Sequence, residues 1–240
     1  MGSDYRIDPS IAVGFATGYN HSKTDFDHSG SNSTANTINF GPYATWQDRH
    51  GDWIDGTVGG AYHWFDSSRE AFGGNAVSST TGTEFDSSLE YGHDFKLGSW
   101  TLTPSLGFDY LHLIIDGYTE TGSLAPLAMQ DEVIDSFQSE LQQTVSYSVK
   151  WNGVRWTPYV QGGWNHQFLN AAQSVTATFA SGAGTSFTTQ GDNLGHDSAT
   201  FGTGLQAGLS ETVSANFGYA GEANDRAQDH SFNASVRVEF

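Results

Sequence analysis

The chain has 240 residues and no cysteine, and its nine Lys and Arg against 27 Asp and Glu leave a formal net charge of −18. Without cysteine there is no disulfide framework, thiolate metal site or Cys nucleophile, and so few cations argue against a nucleic-acid binder. Sixteen Phe, ten Tyr and seven Trp argue against a disordered chain. Mean hydropathy is negative, and no apolar run approaches the roughly 18 residues of a membrane helix. A transmembrane barrel escapes that test, because its apolar face occupies only every second residue.

Met1-Gly2-Ser3 lacks the basic segment and apolar stretch of a secretory signal, so residues 1–9 read as an expression scar and lead-in. From there the period is two. Val13, Phe15, Thr17 and Tyr19 alternate with Ala12, Gly14, Ala16 and Gly18; Ile38, Phe40, Pro42, Ala44 and Trp46 alternate with Asn39, Gly41, Tyr43, Thr45 and Gln47. Leu141, Val145, Tyr147 and Val149 alternate with Gln142, Thr144, Ser146 and Ser148. This is half-buried strand patterning. It predicts about ten strands, near 10–21, 36–48, 52–66, 83–96, 100–116, 134–151, 154–169, 197–209, 212–222 and 230–240. Long polar connections are expected near 22–35, 67–82, 117–133 and 170–196, with a shorter one near 223–229. Tight turns are expected at His50-Gly51, Leu97-Gly98-Ser99, Asn152-Gly153 and Ser210-Glu211.

Long connections on one rim and tight turns on the other are the layout of an up-and-down membrane barrel. The faces agree. One carries Asp55, Asp86, Glu90, Asp109, Glu140 and Glu222, too many carboxylates for a dry core. The other carries a heavy aromatic load, with Tyr19, Trp46, Trp64, Trp100, Trp151, Trp164 and Tyr219 near strand ends, as in interfacial girdles. The expected fold is therefore all-β, an antiparallel up-and-down transmembrane β-barrel over residues 10–240. A soluble β-sandwich with binding loops is the weaker alternative.

Phe232, Ala234, Val236, Val238 and Phe240 alternate to a terminal aromatic, which resembles the assembly signal of outer-membrane barrels. With this ending, the stretches LEYGHDFKLGSWTLTPSLGFDYLHLIIDGYTETG, WTPYVQGGWNHQF, SVTATFASGAGTSFTTQG, LGHDSATFGTGLQAGLS and VSANFGYAGEANDRAQDHSFNASVRVEF resemble, in order, the C-terminal translocator domain of autotransporters, the type V secretion family. The resemblance runs from about Ile11 to Phe240. It implies a twelve-stranded outer-membrane barrel of a Gram-negative bacterium, with a short helix threading the pore and an N-terminal passenger upstream. Implied partners are outer-membrane lipid and the barrel-assembly machinery, and the implied assembly signal is Phe232, Val236, Val238 and Phe240. The linking helix and first two family strands have no counterpart here. Ten strands then either close as a smaller barrel or leave edges at Ile11–Tyr19 and Phe232–Phe240.

No catalytic residue, cofactor or metal is expected. His166, beside Trp164 and Phe168, and His112 are expected to face outward, but no Ser lies in a Gly-x-Ser-x-Gly elbow. Some family members cleave their own passenger with lumen acids and an Asn of the linking helix. Without that helix, the inward acids are expected to solvate the lumen and pair with Arg237, Lys96 or Lys150. The segments TDFDHSGSNSTAN and QGDNLGHDS are rich in calcium-type ligands but lack the twelve-residue loop pattern. They read as solvated outer loops. The expected function is an anchor that helps a passenger cross the outer membrane; the alternative is a passive porin-like or adhesive barrel.

Overall fold

The structure, a computed structural model, describes residues 1–26, 30–169, 173–182 and 184–238. Its strands are β1 (Gly2–Asp8), β2 (Ile11–Phe26), β3 (Ser31–Gln47), β4 (Asp52–Ala71), β5 (Gly74–His93), β6 (Phe95–Leu97), β7 (Trp100–Ile115), β8 (Tyr118–Thr119) and β9 (Leu127–Met129). There follow β10 (Glu132–Tyr147), β11 (Val149–Trp151), β12 (Val154–Gln167), β13 (Ser174–Phe179), β14 (Phe187–Gln190), β15 (Asp197–Gly208), β16 (Val213–Ala223) and β17 (Gln228–Val238). No helix occurs among the described residues, so if the chain crosses a membrane it does so with strands.

One antiparallel sheet runs β1-β2-β3-β4-β5-β7-β10-β12-β15-β16-β17, every strand beside its predecessor on the path. β6 and β11 continue β5 and β10 past short breaks and pair with β7 and β12. All ten predicted strands are present. Residues 2–8, expected as lead-in, instead form β1, with Tyr5 opposite Val13 and Asp4 opposite Gly14. The expected free edge at Ile11–Tyr19 is therefore covered, and the edges of the sheet are β1 and β17.

The tight turns follow their residues. Asn152 and Gly153 have φ of 50° and 81°, as a type I′ hairpin turn requires of both central positions. At Gly98-Ser99 only Gly98 is positive, at 67°, which fits type II′. At His50-Gly51, Asp48 Oδ1 accepts N–H bonds from His50 (2.8 Å), Gly51 (2.8 Å) and Asp52 (2.9 Å), and Oδ2 meets His50 Nδ1 at 2.8 Å. Desolvation pushes this carboxyl up, but those bonds outweigh it and hold it at about 2.

The long connections differ from expectation. β2–β3 and β4–β5 continue as ladders far beyond the predicted strand ends, to Phe26↔Ser31 and Ala71↔Gly74. The segments 117–133 and 170–196 supply a second sheet, β14-β13-β9-β8. Its β-branched Val175, Thr176 and Thr178 suit strands, and Phe179 packs on Phe187 with ring centroids 6.0 Å apart.

Among the described residues the buried apolar side chains are all small, namely Ala12, Ala61, Ala76, Ala177 and Ala207, while Phe15, Leu141, Val160 and Phe217 are more than half exposed. A soluble sandwich buries its large apolar side chains. This sheet turns them outward, which disposes of the sandwich alternative.

Candidate functional site

Alternation and register assign two faces. On the inner face Asp55 lies opposite Glu90, Glu90 opposite Gly107, and Gly107 opposite Glu140. Three of the predicted acids thus share one row across β4, β5, β7 and β10. Gly107 leaves room between them, since a Cβ there would lie 3.7 Å from Glu90 Cγ and 3.9 Å from Glu140 Cβ. Asp86 lies over Gly59, Asp109 opposite Ser88, and Glu222 opposite Thr200, all on the same face.

Their partners are not the predicted cations. Asp55 accepts from Thr45 Oγ1, Glu222 from Ser198 Oγ, and Glu140 from Gln142 Nε2 at 2.9 Å and Thr200 Oγ1 at 3.3 Å. Among the described residues Lys96 and Lys150 make no ion pair with them, and Arg237 instead donates from Nη2 to Asp4 Oδ2. The reason is position. Lys96 and Lys150 flank the tight turns, away from the acidic row.

The Asp4–Arg237 bridge joins the edge strands, and no β1–β17 ladder accompanies it among the described residues. The Tyr43 ring lies over Gly14, where a Cβ would meet Tyr43 Cζ at 2.4 Å. Tyr159 covers Gly204 and Gly218 in the same way, at 2.4 and 2.7 Å from its hydroxyl oxygen. Flat rings over glycines leave the wall thin. Sequence reasoning missed Asp4 and Tyr43, and missed His63, which meets Thr37 Oγ1 at 2.8 Å and Glu84 Oε2 at 3.1 Å on the inner face.

On the outer face Tyr19, Trp64, Trp164 and Tyr219 stand toward the long connections, and Trp46, Trp100 and Trp151 toward the tight turns. Tyr62 packs on Trp64 at 4.8 Å and Tyr147 on Trp100 at 4.9 Å. From Trp100 to Tyr110 the rise is roughly 33 Å along the strand, or roughly 25 Å of height at a barrel tilt. That equals the apolar band of an outer-membrane barrel. Between the two belts the outward positions of the sheet hold no Asp, Glu, Lys or Arg. Three of the polar groups there turn back on the backbone: Thr17 Oγ1 donates to Asn39 O (2.9 Å), Thr203 Oγ1 to Tyr159 O (2.9 Å) and Gln143 Nε2 to Thr144 O (2.8 Å). A donor with no water nearby must be satisfied in this way.

Phe232, Val236 and Val238 lie on the outer face of β17 and are 74, 70 and 48 % exposed; Phe240 lies outside the described residues. His112 and His166 face outward, with Nδ1 at 2.8 Å from Asp135 and Asp197 respectively. Among the described residues no Ser hydroxyl meets either imidazole, and no three metal-ligating side chains cluster. Most of TDFDHSGSNSTAN is ladder, with residues 27–29 outside the described set. In QGDNLGHDS, Asn193 Oδ1 instead accepts the Gly195 N–H at 2.8 Å.

Comparison with known proteins agrees with this geometry. The family model "Autotransporter beta-domain" matches residues 1–220. The chain is 28 % identical over 166 residues to the probable autotransporter YpjA of Escherichia coli, covering 66 % of this chain and 10 % of YpjA. It is 27 % identical over 140 residues to the esterase EstA of Pseudomonas aeruginosa, covering 55 % of this chain and 22 % of EstA. It thus spans a small part of these relatives. In fold it is similar to the translocator domain of NalP from Neisseria meningitidis, with TM-score 0.78 and 14 % identity over all of this chain and 77 % of that one. It is equally similar to the β-domain of the Bordetella autotransporter BrkA, with TM-score 0.78 and 18 % identity over all of this chain and 88 % of that one.

Proposed function

Because this chain belongs to the autotransporter β-domain family and is an outer-membrane barrel of a Gram-negative bacterium, we propose that it anchors a passenger and provides its route across that membrane. The observation that carries the reading is the sorting of the two faces: an uncharged apolar band outside, and an acidic, hydroxyl-lined wall inside. The work is spatial. Outer side chains solvate the barrel in lipid, while the inner row keeps water along a path for an extended chain. An esterase relative does not bring a reaction with it, since the match covers only 22 % of that protein. No catalytic residue, cofactor or metal is assigned.

An epitope fused ahead of Gly2, behind a secretory signal, tests the reading. Surface exposure of the epitope on intact cells supports it. An inserted barrel with the epitope held in the periplasm favours the passive porin-like or adhesive alternative.

Two further results are expected. Phe232, Val236, Val238 and Phe240 form the proposed address for the barrel-assembly machinery, so Phe240→Ser lowers the amount of assembled barrel in outer membranes; unchanged assembly counts against the address. The row Asp55–Glu90–Glu140 gives the lumen a negative field. Planar-bilayer reversal potentials under a salt gradient therefore show cation preference, weakened in Glu90→Gln/Glu140→Gln; anion preference of the parent would reverse the face assignment.

A further inference from the structure

The outer face repeats one arrangement at the height of the long-connection belt. Tyr19 and His21, Tyr110 and His112, and Trp164 and His166 are pairs two residues apart on one strand. His230 completes the set, with its ring 6.1 Å from Tyr219. In each case Nδ1 is held: His21 by Asn36 Oδ1 (2.8 Å), His112 by Asp135 Oδ1 (2.8 Å), His166 by Asp197 Oδ1 (2.8 Å) and His230 by the Tyr219 hydroxyl (2.9 Å). The aromatic of the pair shares the acceptor, through Tyr19 Oη on Asn36, Tyr110 Oη on Asp135 and Trp164 Nε1 on Asp197. No Nε2 of the four has a hydrogen-bond partner among the described residues.

We infer that these four histidines form a lipid-headgroup contact, each presenting Nε2–H, when both ring nitrogens carry a proton, to the phosphate of an anionic lipid in the leaflet on the long-connection side. The inference rests on the membrane-barrel fold, not on passenger transport. Three observations carry it. The histidines stand at the aromatic belt, where headgroups begin. A neighbour orients each ring through Nδ1, which leaves Nε2 as the outward nitrogen. The chain is strongly acidic, and Lys23 is the one Lys or Arg on this part of the outer face, already 3.0 Å from Asp25. Without the histidines this rim would repel an anionic leaflet.

The charged and titratable groups facing the four are few. Tyr19 and Lys23 share the face with His21, Tyr110 and Asp135 with His112, Asp197 and His196 with His166, and Tyr219 with His230. Asp135 and Asp197 each take the Nδ1 side of an imidazole, which leaves Nε2 turned away from the carboxylate. A metal ion is the weaker occupant, because among the described residues no three ligating side chains converge.

The test is tryptophan quenching by brominated lipids in vesicles holding the refolded chain. Dibrominated phosphatidylglycerol and dibrominated phosphatidylcholine are compared at about pH 8 and about pH 5.5, either side of the ordinary imidazole range. Selectivity for the glycerol lipid is expected to rise about threefold on acidification, the size that exposed charge contacts carry. The rise is lost in His21→Asn/His112→Asn/His166→Asn/His230→Asn and kept in His50→Asn/His93→Asn, which alters the tight-turn side alone. A faster-migrating unheated band on an SDS gel confirms that each variant is folded. Equal selectivity at both pH values in the parent chain, or a rise retained in the quadruple variant, overturns the inference. Absence of quenching by either lipid would instead overturn the membrane-barrel reading.

Discussion

Val160→Arg should destabilise the barrel in a lipid bilayer by about 2–4 kcal/mol, while Gln161→Arg, one residue on, should change its stability little. Val160 lies midway between Trp156 and Trp164 on β12, faces outward and is 57 % exposed. Its cross-strand neighbours are Val145 and Thr203, neither able to pair a guanidinium. An arginine there sits at hydrocarbon depth, too far from either belt to reach water without thinning the bilayer. Gln161 faces the other way, between Thr144 and Gly202 on the inner wall, where water and the acidic row receive a cation. Urea unfolding in vesicles of fixed composition, followed by tryptophan fluorescence, measures both. Equal losses would place the two faces in the same surroundings and overturn the division between lipid and lumen.

Arg69→Ala should release the small sheet while leaving the barrel wall intact. Arg69 stands on β4 above the belt, outside the membrane, and donates from Nε and Nη2 to Glu120 at 2.9 and 2.6 Å. Glu120 also accepts the Leu127 N–H at 2.9 Å, so one carboxylate ties β4 to the segment leading into β9. Its side chain is 7 % exposed and that of Arg69 is 41 % exposed. Burial pushes the Glu120 carboxyl up, but the guanidinium and the amide outweigh burial and hold it below the ordinary value. Removing the arginine strands a buried carboxylate, at a cost of about 2 kcal/mol, discounted from a fully buried pair for the exposure of Arg69. Amide exchange over 118–129 and 174–190, corrected for intrinsic rates, should speed up by roughly 30-fold. Because the folded value lies below the unfolded one, the tie is complete above about pH 4.3 and is lost as pH falls through the lower folded value. Unchanged exchange in the variant would mean that the sheet is held by other contacts.

The barrel wall was legible because its outer positions are large and apolar and its inner ones small or polar, so period two is visible strand by strand. The ladder above the belt was not. Ser31-Asn32-Ser33-Thr34-Ala35-Asn36-Thr37 pairs with β2 and β4 through its backbone, yet both faces there meet water and the alternation has no contrast. β1 was hidden for a similar reason: Tyr5 and Ile7 alternate with Asp4 and Arg6 over too few residues to stand out.

Parity alone puts the six acids on one face of the sheet and His112 and His166 on the other. Partners do not follow from parity, because they depend on register between strands and on where the sheet edges meet. Arg237 and Asp4 are 233 positions apart in sequence. The repeated aromatic-x-His spacing is in the sequence, but its acceptors Asn36, Asp135 and Asp197 come from neighbouring strands.

The ladders that outrun the membrane have a consequence for proteases outside the cell. A protease needs a stretch of extended, detached chain, and a paired strand withholds it. β4 and β5 remain paired from the belt up to Ala71↔Gly74, so in that hairpin only the Phe72-Gly73 tip lies outside the ladder, and there Phe72 O accepts the Leu124 N–H at 3.0 Å. A cut at that tip severs one peptide bond and leaves both strands zipped to their neighbours. The barrel should therefore outlast proteolytic attack on its exterior as a nicked but assembled object.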